Sequence, residues 1–343
     1  MRVGTNPEKE NNTLEVDIYH RIIIPVYIPN FDGYFKDGLG VFKLCIQSLL
    51  KTIHVKTRVT IYNNASHVKV KNFIDDLYDK EELIDQVFHS KTNVGKINAI
   101  LAASKGCIEP LITISDADVL FKNDWQPSVE ELFINFPDAG MVSPVPSSKA
   151  FKNFADVNWF YGFFKGKIKL ENVRDKEGLI RFDKSLGNPK PLYNPIHLEK
   201  YLVLINKKGK AVMGCGHFVA TLRREVFDKG SNSPAFNKIM GGVENKFIDQ
   251  PNQNLGFLRL ATLENYAYHL GNTIEEWMFD EFDKIENKDV SMIQAVFPLK
   301  KGNTTLKLTI GKLVRKLLLS KYFKSFYFTR LGLTKEEVKK YIY

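Results

Sequence analysis

Two carboxylates that stand one residue apart follow a run of residues typical of a buried strand. The run, Leu-Ile-Thr-Ile-Ser at 111–115, leads directly into Asp116, Ala117 and Asp118. A strand interior rarely holds unpaired charges, but at the carboxyl end of a strand two carboxylates can hold Mg²⁺ or Mn²⁺. The cation can then neutralise a diphosphate. The pattern predicts an enzyme that handles an activated, phosphate-bearing substrate, although Asp pairs also favour turns and helix N-caps.

The first third of the chain alternates short apolar runs with segments of helical spacing. The strand-like runs are 22–24, 59–62, 86–89 and 111–115, and the helical segments are 41–50, 70–78 and 96–104. Alternation of this kind predicts parallel strands joined by right-handed crossovers. Ligands of such sheets gather where the strands end. We therefore expect the polar strand ends at 25–27, 63–64 and 116–118 to share one edge of the sheet.

The middle of the chain is less regular. Residues 151–164 are dense in aromatic side chains, and residues 165–195 are charged and contain Gly and Pro. This composition predicts a loop-rich insertion. Strand-like patterns return at 211–222, which a Gly-Cys-Gly triplet interrupts, and at 258–261 and 266–270.

The net charge of +10 is carried by the C-terminal segment. Residues 300–343 contain twelve Lys and Arg against two Glu, which leaves 37 basic and 37 acidic residues in the rest of the chain. A neutral body with a basic tail indicates a local electrostatic surface, and no nucleic-acid partner is expected. Three widely spaced cysteines without a CxxC pair are typical of a reducing compartment. The sequence shows no apolar run of ~18 residues and no signal-peptide pattern, so we expect no membrane span.

Six short motifs occur in a characteristic order along the chain. They are Ile24-Pro25-Val26-Tyr27, Asn63-Asn64-Ala65-Ser66, Asn93-Val94-Gly95-Lys96, Asp116-Ala117-Asp118, Gly241-Gly242-Val243-Glu244 and His269. Over about residues 20–272 the chain thereby resembles a family 2 glycosyltransferase of the GT-A fold. The resemblance implies an α/β protein with a Rossmann-like, mixed and mostly parallel sheet flanked by helices. It also implies a nucleoside-diphosphate sugar as donor, Mn²⁺ or Mg²⁺ as cofactor, and usually inversion at the anomeric carbon.

The resemblance places the donor against residues that follow the strands or open a helix. These donor-binding residues are Pro25, Val26, Tyr27, Asn63, Asn64, Asn93, Gly95, Lys96, Asp116 and Ala117. Tyr27 would lie near the base, and Lys96 could pair with a phosphate. Asn64 stands where the family often has an Asp that reads uracil, and its amide can still donate and accept. A UDP-sugar is the expected donor. Each of these residues also has a purely structural interpretation: Pro25 as a strand terminator, Asn63-Asn64 as a plain turn and Lys96 as a solvated lysine.

The same resemblance assigns the cation to Asp116, Asp118 and His269. Asp118 would contact the metal directly, whereas Asp116 would contact the ribose or a bridging water. Imidazole is an acceptable ligand for Mn²⁺. A purely structural histidine is the alternative for His269.

The catalytic base is expected to be Glu244 or, as second choice, Asp249. An inverting transferase needs a group that takes the proton of the acceptor hydroxyl. The family commonly has Glu-Asp here, with the Asp as base, but this chain has Glu244 followed by Asn245. Because an amide cannot act as a base, the role passes to a neighbouring carboxylate. Both carboxylates could instead be charges at a helix N-terminus.

These assignments divide the chain into a polar N-terminal extension (1–19), a nucleotide-sugar-binding subdomain (20–140), an acceptor-binding subdomain (141–275) with a loop-rich insertion (151–210), and a helical basic extension (276–343). The resemblance implies a cytoplasmic hexosyltransferase-type enzyme that acts on a glycan or a lipid-linked glycan.

Two alternatives to the transferase remain. A nucleotidyltransferase on a similar fold would need a basic loop after the first strand, and residues 25–33 contain no basic side chain. A non-catalytic membrane-binding or nucleic-acid-binding protein would depend on the tail instead.

The basic tail is predicted to form an amphipathic helix over 307–327. Its apolar stripe consists of Leu306, Ile310, Leu313, Val314 and Leu317. A basic helix rich in aromatic residues suits an anionic membrane surface, so we expect peripheral attachment through 300–343 at the inner membrane face. Packing on the body and pairing with another subunit are the alternatives.

Overall fold

A computed structural model describes residues 3–6, 9, 17–230, 233–236, 242–294, 297 and 304–342. The strands in chain order are β1 (His20–Val26), β2 (Thr57–Asn64), β3 (Ile84–Ser90), β4 (Leu111–Ser115), β5 (Val119–Phe121), β6 (Ala139–Ser143), β7 (Lys167–Asn172), β8 (Lys200–Ile205), β9 (Lys210–Met213), β10 (Val219–Arg223), β11 (Leu258–Ala261) and β12 (Ala267–His269).

Helices alternate with the strands and then close the chain. The α-helices are α1 (Gly38–Leu50), α2 (Val68–Lys80), α3 (Lys96–Ser104), α4 (Trp125–Asn135), α5 (Asp156–Phe164), α6 (Lys176–Ser185), α7 (Arg224–Asp228), α8 (Gln250–Asn254), α9 (Glu276–Asp283), α10 (Thr304–Leu318), α11 (Lys324–Arg330) and α12 (Lys335–Tyr341). Short 3₁₀ turns lie at Gly33–Phe35 and Pro195–Leu198, and a π-helical turn lies at Asn245–Asp249.

A ten-stranded sheet forms the centre of the described structure, in the order β3-β2-β1-β4-β10-β6-β11-β9-β8-β7. The strands β3, β2, β1, β4, β6, β11 and β8 run in one direction, and β10, β9 and β7 run in the other. Helices flank the sheet, which explains why Ile22, Ile23 and Ile24 of β1 are fully buried. The predicted α/β class with a mixed, mostly parallel sheet is confirmed.

One reversed strand brings a loop to the edge where the parallel strands end. Because β10 is antiparallel to β4, its first residue, Val219, pairs with Ser115 at the end of β4. The backbone N–H of Asp116 then donates to the carbonyl of Phe218 at 2.7 Å. The loop 214–218 therefore lies across from the Asp-Ala-Asp triplet.

A second, two-stranded sheet positions His269. Strand β12 is antiparallel to β5, so that His269 pairs with Val119. The next backbone N–H, that of Leu270, donates to the carbonyl of Asp118 at 2.7 Å. Two residues far apart in sequence, Asp118 and His269, are thus placed side by side by backbone pairing.

The segment 151–210 differs from the predicted loop-rich insertion. It contains α5, β7, α6 and β8, and the two strands extend the central sheet to its edge. The reason is local pattern: apolar residues alternate at Ile168 and Leu170 on β7, and they pair with Leu204 and Leu202 on β8. The high charge of the segment lies mainly on its solvent-facing positions.

The segment 211–222, expected to be one strand, forms two strands, β9 and β10, which are separated in the sheet by β6 and β11. Gly214 separates β9 from β10, and its φ of +94° lies in the left-handed region that favours glycine. A Cβ at this position would also collide with the carbonyl of Ala150. The Gly-Cys-Gly triplet therefore lies in the connection between two strands.

The tail forms three short helices that pack on the body. Helix α10 crosses α5 at Gly311, where a Cβ would collide with the carbonyl oxygen of Asp156. Arg315 of α10 donates from Nε to Asp156 Oδ1 at 2.6 Å. The chain then turns before α11, so the helix expected over 307–327 is interrupted. Packing on the body, one of the predicted alternatives, is what the described tail shows.

The outer face of the tail remains apolar. Six large side chains there are 46–85% exposed, namely Leu306, Leu313, Leu317, Tyr322, Phe323 and Phe326. Phe163 and Phe164, at the end of the neighbouring helix α5, are also exposed. Within the described ranges, none of the helices is long and apolar enough to cross a bilayer.

Candidate functional site

Three potential metal ligands meet at the carboxyl edge of the sheet. One ligand atom each of Asp116, Asp118 and His269 lies within 4.8 Å of the other two. His269 Nε2 is 3.5 Å from Asp118 Oδ2, while its Nδ1 is 2.9 Å from the hydroxyl of Ser185 on α6. That hydroxyl fixes the imidazole ring and leaves Nε2 directed toward the carboxylates, which is the usual arrangement of a ligating histidine.

The electrostatics of this group favour a cation. Burial raises the pKa of Asp118, and the neighbouring Asp116 carboxylate adds to this effect, although His269 and Lys96 oppose it. Two carboxylates and an imidazole are acceptable donors for Mn²⁺, and the oxygen donors also suit Mg²⁺. The residues present therefore fit a divalent cation, which would relieve the repulsion between the two carboxylates.

Lys96 lies between the Asp-Ala-Asp triplet and the motif that ends in Glu244. Its ammonium forms an ion pair with Asp116 and lies 3.7 Å from Oε1 of Glu244. Burial alone would lower the pKa of Lys96, but the carboxylates of Asp116 and Glu244 outweigh it and raise the pKa. A permanently charged ammonium at the start of α3 is well placed for a phosphate group.

A pocket of about 360 Å³ opens beside these charges. Of the predicted donor-binding residues, its lining includes Pro25, Val26, Tyr27, Asn64, Asn93, Lys96, Asp116 and Ala117. Strands β1, β2 and β4 supply most of them from the residues at or just after their carboxyl ends, as the alternation of strands and helices predicted. A volume of this size is within the range of small-molecule sites.

Asn63 and Gly95 do not line the pocket but shape its wall. The Asn63 amide lies 2.9 Å from His89 Nδ1, and its Oδ1 accepts from the backbone N–H of Ser66 at 3.0 Å. Gly95 has a φ of +87° and precedes α3, and its N–H donates to Asn93 Oδ1 at 2.8 Å. Both residues hold loops in place.

Asn64 is a lining residue whose amide is already engaged. Its Nδ2 donates to Asn93 Oδ1 at 3.0 Å, and its Oδ1 accepts from the backbone N–H of Val94 at 2.9 Å. The side chain is buried. In this structure it fastens the loop before α3.

Sequence reasoning missed an aromatic group at the pocket mouth. Tyr34 and Phe35 line the pocket, and the ring of Phe35 meets that of Tyr27 edge-on at 5.8 Å between centroids. Asn272 also lines it and donates from Nδ2 to the carbonyl of Tyr34 at 3.0 Å. The only sequence signal was the adjacent aromatic pair itself, which lies within the 3₁₀ turn Gly33–Phe35.

The two predicted base candidates have different surroundings. Glu244 is one-quarter exposed and faces Lys96, so it reaches the site edge. Asp249 is fully buried, with Oδ1 3.0 Å from Arg259 Nε and Oδ2 2.5 Å from His217 Nε2. This carboxylate is engaged by two side chains and does not line the pocket, and Asp249 as the base stays a prediction.

His217 was not singled out in the sequence. It lies in the loop 214–218 across from Asp116, and its side chain is one-quarter exposed. The only sequence signal was a histidine directly after the Gly-Cys-Gly triplet, and nothing in the spacing connects it with Asp249, which lies 32 positions further along the chain. Tertiary packing alone brings the pair together.

Three solved structures that resemble this chain share 12–13% sequence identity with it. A mannosyltransferase from Pyrobaculum calidifontis in complex with GDP-Man and Mn²⁺ has 13% identity and a TM-score of 0.41, over 71% of this chain and 53% of that chain. S. aureus TarS 1–349 with UDP-GlcNAc has 12% identity and a TM-score of 0.43, over 78% and 62%. GalNAc-T7 with UDP, GalNAc and Mn²⁺ has 12% identity and a TM-score of 0.49, over 95% and 54%.

This chain therefore spans between 53% and 62% of the length of those three chains. No curated protein sequence matches it.

The fold is that of a GT-A glycosyltransferase, with its pocket at the edge where ligands of such sheets bind. The family described as Glycosyl transferase family 2 matches residues 23–230, which is more than half of the 343 residues. The chain belongs to this family, as its motifs predicted.

Proposed function

We propose that this chain transfers a sugar from a nucleoside-diphosphate donor to a hydroxyl of a glycan or lipid-linked glycan, with inversion and with Mn²⁺ or Mg²⁺ as cofactor. The observation that carries the proposal is the continuity of the pocket with the carboxylate–histidine group. Asp116 and Asp118 line the pocket, and so do Tyr27, Tyr34 and Phe35, whose rings form a contacting group. A diphosphate beside the carboxylates and a base among the aromatic rings would match this distribution of charge.

The chain's own groups have distinct roles in this proposal. Asp118 and His269 would hold the cation, with Asp116 beside them, and the cation would supply charge neutralisation for the departing diphosphate. Lys96 would add a second positive charge to the phosphate side. The walls of 25–28 and 93–95 would orient the nucleoside and exclude water.

UDP is the proposed nucleotide, since one of the similar structures contains UDP-GlcNAc and another contains UDP. GDP is the competing candidate because the mannosyltransferase holds GDP-Man. Thermal-shift measurements with UDP-, GDP- and dTDP-sugars, each with and without Mn²⁺, would decide between them. We expect a rise in melting temperature that requires both the nucleotide sugar and the metal. No rise with any donor would contradict the proposed function.

Replacing Tyr27 with alanine is expected to weaken nucleotide binding by about tenfold or more, because stacking of a base on an aromatic ring contributes about 1–3 kcal/mol. Tyr27 is 37% exposed and contacts Phe35, so its loss removes one wall of the pocket mouth. Calorimetric titration with UDP and Mn²⁺ provides the measurement. Tyr78→Ala, at a tyrosine on α2 outside the pocket lining, is the matched control. Equal affinity in the two variants would remove Tyr27 from the base site.

Peripheral attachment to the cytoplasmic membrane surface is also proposed, through the outer face of α10 and α11. Leu306, Leu313 and Leu317 follow one another on the same side of α10, and all three are at least half exposed. Lys312 and Lys316 are exposed beside them. Apolar side chains flanked by lysines are the composition that binds anionic lipid headgroups. Such docking would bring the pocket to a lipid-linked acceptor.

Replacing Leu313 and Leu317 together with aspartate is expected to reduce binding to phosphatidylglycerol vesicles by at least about tenfold, since each leucine loses apolar contact and gains repulsion. Cosedimentation at low and high salt measures this effect, and wild-type binding should weaken with salt. The double variant Val55→Asp with Ile108→Asp is the matched control. Both positions are exposed and apolar, and they lie shortly before β2 and β4 begin. Equal vesicle binding by both double variants would exclude α10 as the docking surface.

A further inference from the structure

The proposed inverting transfer requires a proton acceptor, and two side chains at the site edge have the chemistry for it. Glu244 is the first, but its carboxylate faces the ammonium of Lys96 at 3.7 Å. This ion pair already engages the Glu244 carboxylate with a cation. His217 is the second, and it lies across the strand ends from the Asp-Ala-Asp triplet.

His217 is oriented by a buried carboxylate. Its Nε2 lies 2.5 Å from Oδ2 of Asp249, which is fully buried on the π-helical turn. Because a carboxylate only accepts hydrogen bonds, Nε2 must carry the hydrogen and Nδ1 keeps a lone pair. A histidine held in one tautomer by a carboxylate is the arrangement that prepares an imidazole to take a proton.

Asp249 is itself held in place by an arginine. Arg259 of β11 lies with Nε 3.0 Å from Asp249 Oδ1, and its NH2 donates to the carbonyl of Cys215 at 2.7 Å. Arg259 therefore fastens both the carboxylate and the loop that carries His217. The His217 side chain is 25% exposed, so its imidazole is accessible to solvent.

The π-helical turn connects the two halves of this arrangement. Glu244 precedes the turn and Asp249 closes it, and the N–H of Gln250 donates to the carbonyl of Asn245 in the i to i+5 pattern. The wider turn lets one short segment send Glu244 toward Lys96 and Asp249 toward His217. Isolated π turns frequently occur at functional sites.

We propose that His217 is the base that deprotonates the acceptor hydroxyl, and that Asp249 and Arg259 are positioning residues for it. This inference rests on the proposed function. As the acceptor oxygen bonds to the anomeric carbon, its proton passes to Nδ1 of His217. The bond from that carbon to the diphosphate breaks, and the electron pair leaves with the diphosphate. The resulting imidazolium is stabilised by Asp249.

The test compares His217→Gln with Glu244→Gln in the full chain. Each variant is assayed for Mn²⁺-dependent UDP binding by calorimetry, and for release of UDP from a UDP-sugar across pH 5 to 9. We expect His217→Gln to bind UDP within twofold of wild type and to lose about 10²–10⁴-fold in rate. The fall in rate at acid pH should also disappear in His217→Gln and persist in Glu244→Gln.

His217→Ala with added imidazole provides a second readout that a structural role would not produce. Rescue of the rate by imidazole is expected, with a pH dependence that follows the added base. Asp249→Asn should lower the rate and shift the acid limb of the pH profile, since it removes the partner of the imidazolium.

A His217→Gln variant that keeps more than one-tenth of the wild-type rate, or a Glu244→Gln variant that alone loses the acid limb, would overturn the assignment while leaving the proposed function intact. Failure of the wild-type protein to bind any nucleotide sugar would overturn both.

Discussion

Replacing Asp118 with asparagine is expected to reduce sugar transfer on the order of 10³-fold. The substitution keeps the size of the side chain but removes one of the two charges that would hold the cation. Loss of several kcal/mol of stabilisation for the departing diphosphate corresponds to a rate factor of this size, because each 1.36 kcal/mol is tenfold. The initial rate at saturating donor and Mn²⁺ is the quantity to measure.

The same variant should alter stability in a direction opposite to its effect on activity. Burial and Asp116 raise the pKa of Asp118, so its ionised form is unfavourable in the metal-free protein. A neutral amide removes that repulsion, and the metal-free variant should melt no lower than wild type. It should also lose the rise in melting temperature that Mn²⁺ and UDP-sugar produce in wild type.

Asp79→Asn is the matched control for this experiment, because Asp79 is exposed at the end of α2. It makes the same chemical change away from the pocket and should leave both rate and metal response unchanged. Transfer by Asp118→Asn at more than one-tenth of the wild-type rate would contradict a metal-binding role for this carboxylate.

Acidification is expected to destabilise the protein through His197, which anchors the last helix. His197 is fully buried; its Nδ1 accepts from the backbone N–H of Asn194 at 3.1 Å, and its Nε2 donates to the carbonyl of Tyr341 at 3.1 Å. Both ring nitrogens are thus satisfied by the neutral form. A second proton would sit on Nδ1 and point at the N–H of Asn194. Burial also disfavours the charged ring and lowers the pKa of His197 from 6.5 to about 4.

The sign of the effect follows from this depressed pKa. Above pH 6.5 the histidine is neutral in both folded and unfolded chains, and it contributes nothing to the pH dependence. As pH falls below 6.5, His197 binds a proton in the unfolded chain but not in the folded chain, so the free energy of unfolding decreases. The decrease should begin near pH 6.5, be complete near pH 4 and amount to about 3 kcal/mol.

Urea unfolding of wild type and of His197→Gln between pH 7.5 and 4.5 tests this prediction. The variant is less stable at pH 7.5, but its free energy of unfolding should fall less steeply with acid. His67→Asn, which replaces a histidine N-cap of α2 by another good N-cap residue, controls for the loss of any histidine. Parallel slopes for all three proteins would exclude His197 as the origin of acid sensitivity.

The sequence predicted the fold of residues 20–140, the expected nucleotide-sugar-binding subdomain, well. The elements of this part form from local patterns of apolar and polar residues. Alternating apolar runs and helical segments located β1 to β4, and polar residues marked where the strands end. The order of the motifs was sufficient to name the family, which the match over 23–230 confirms. What the local pattern could not supply was the order of strands in the rest of the sheet.

Residues 151–210 illustrate why. Their charge and their Gly and Pro content suggested loops, but β7 and β8 form because Ile168 and Leu170 find partners in a strand some thirty residues later. Pairing at that sequence distance depends on tertiary packing, which amino-acid composition does not predict. The pairing of His217 with Asp249 was hidden for the same reason.

Side-chain partners also decided roles that the motifs left open. Asn64 occupies a lining position, yet both ends of its amide bond the loop at 93–94. Trp159, which the density of aromatic residues in 151–164 made conspicuous, is fully buried and donates to the carbonyl of Phe151 at 3.0 Å. In each case the residue type was compatible with ligand contact, and only the geometry showed how the polar atoms are used.

The reversed strand β10 has a consequence for how this enzyme could diverge. The proposed donor-binding residues lie at the ends of β1, β2 and β4, whereas the loop 214–218 lies before the beginning of β10. The proposed donor-binding residues and the loop 214–218 therefore belong to separate stretches of chain, which are joined by the hydrogen bonds between β4 and β10. Changes in that loop that keep His217 and Phe218 would preserve the proposed base and the backbone bond to Asp116. Such changes can still alter what approaches the sugar, so part of the acceptor preference should be transplantable between relatives as a short segment.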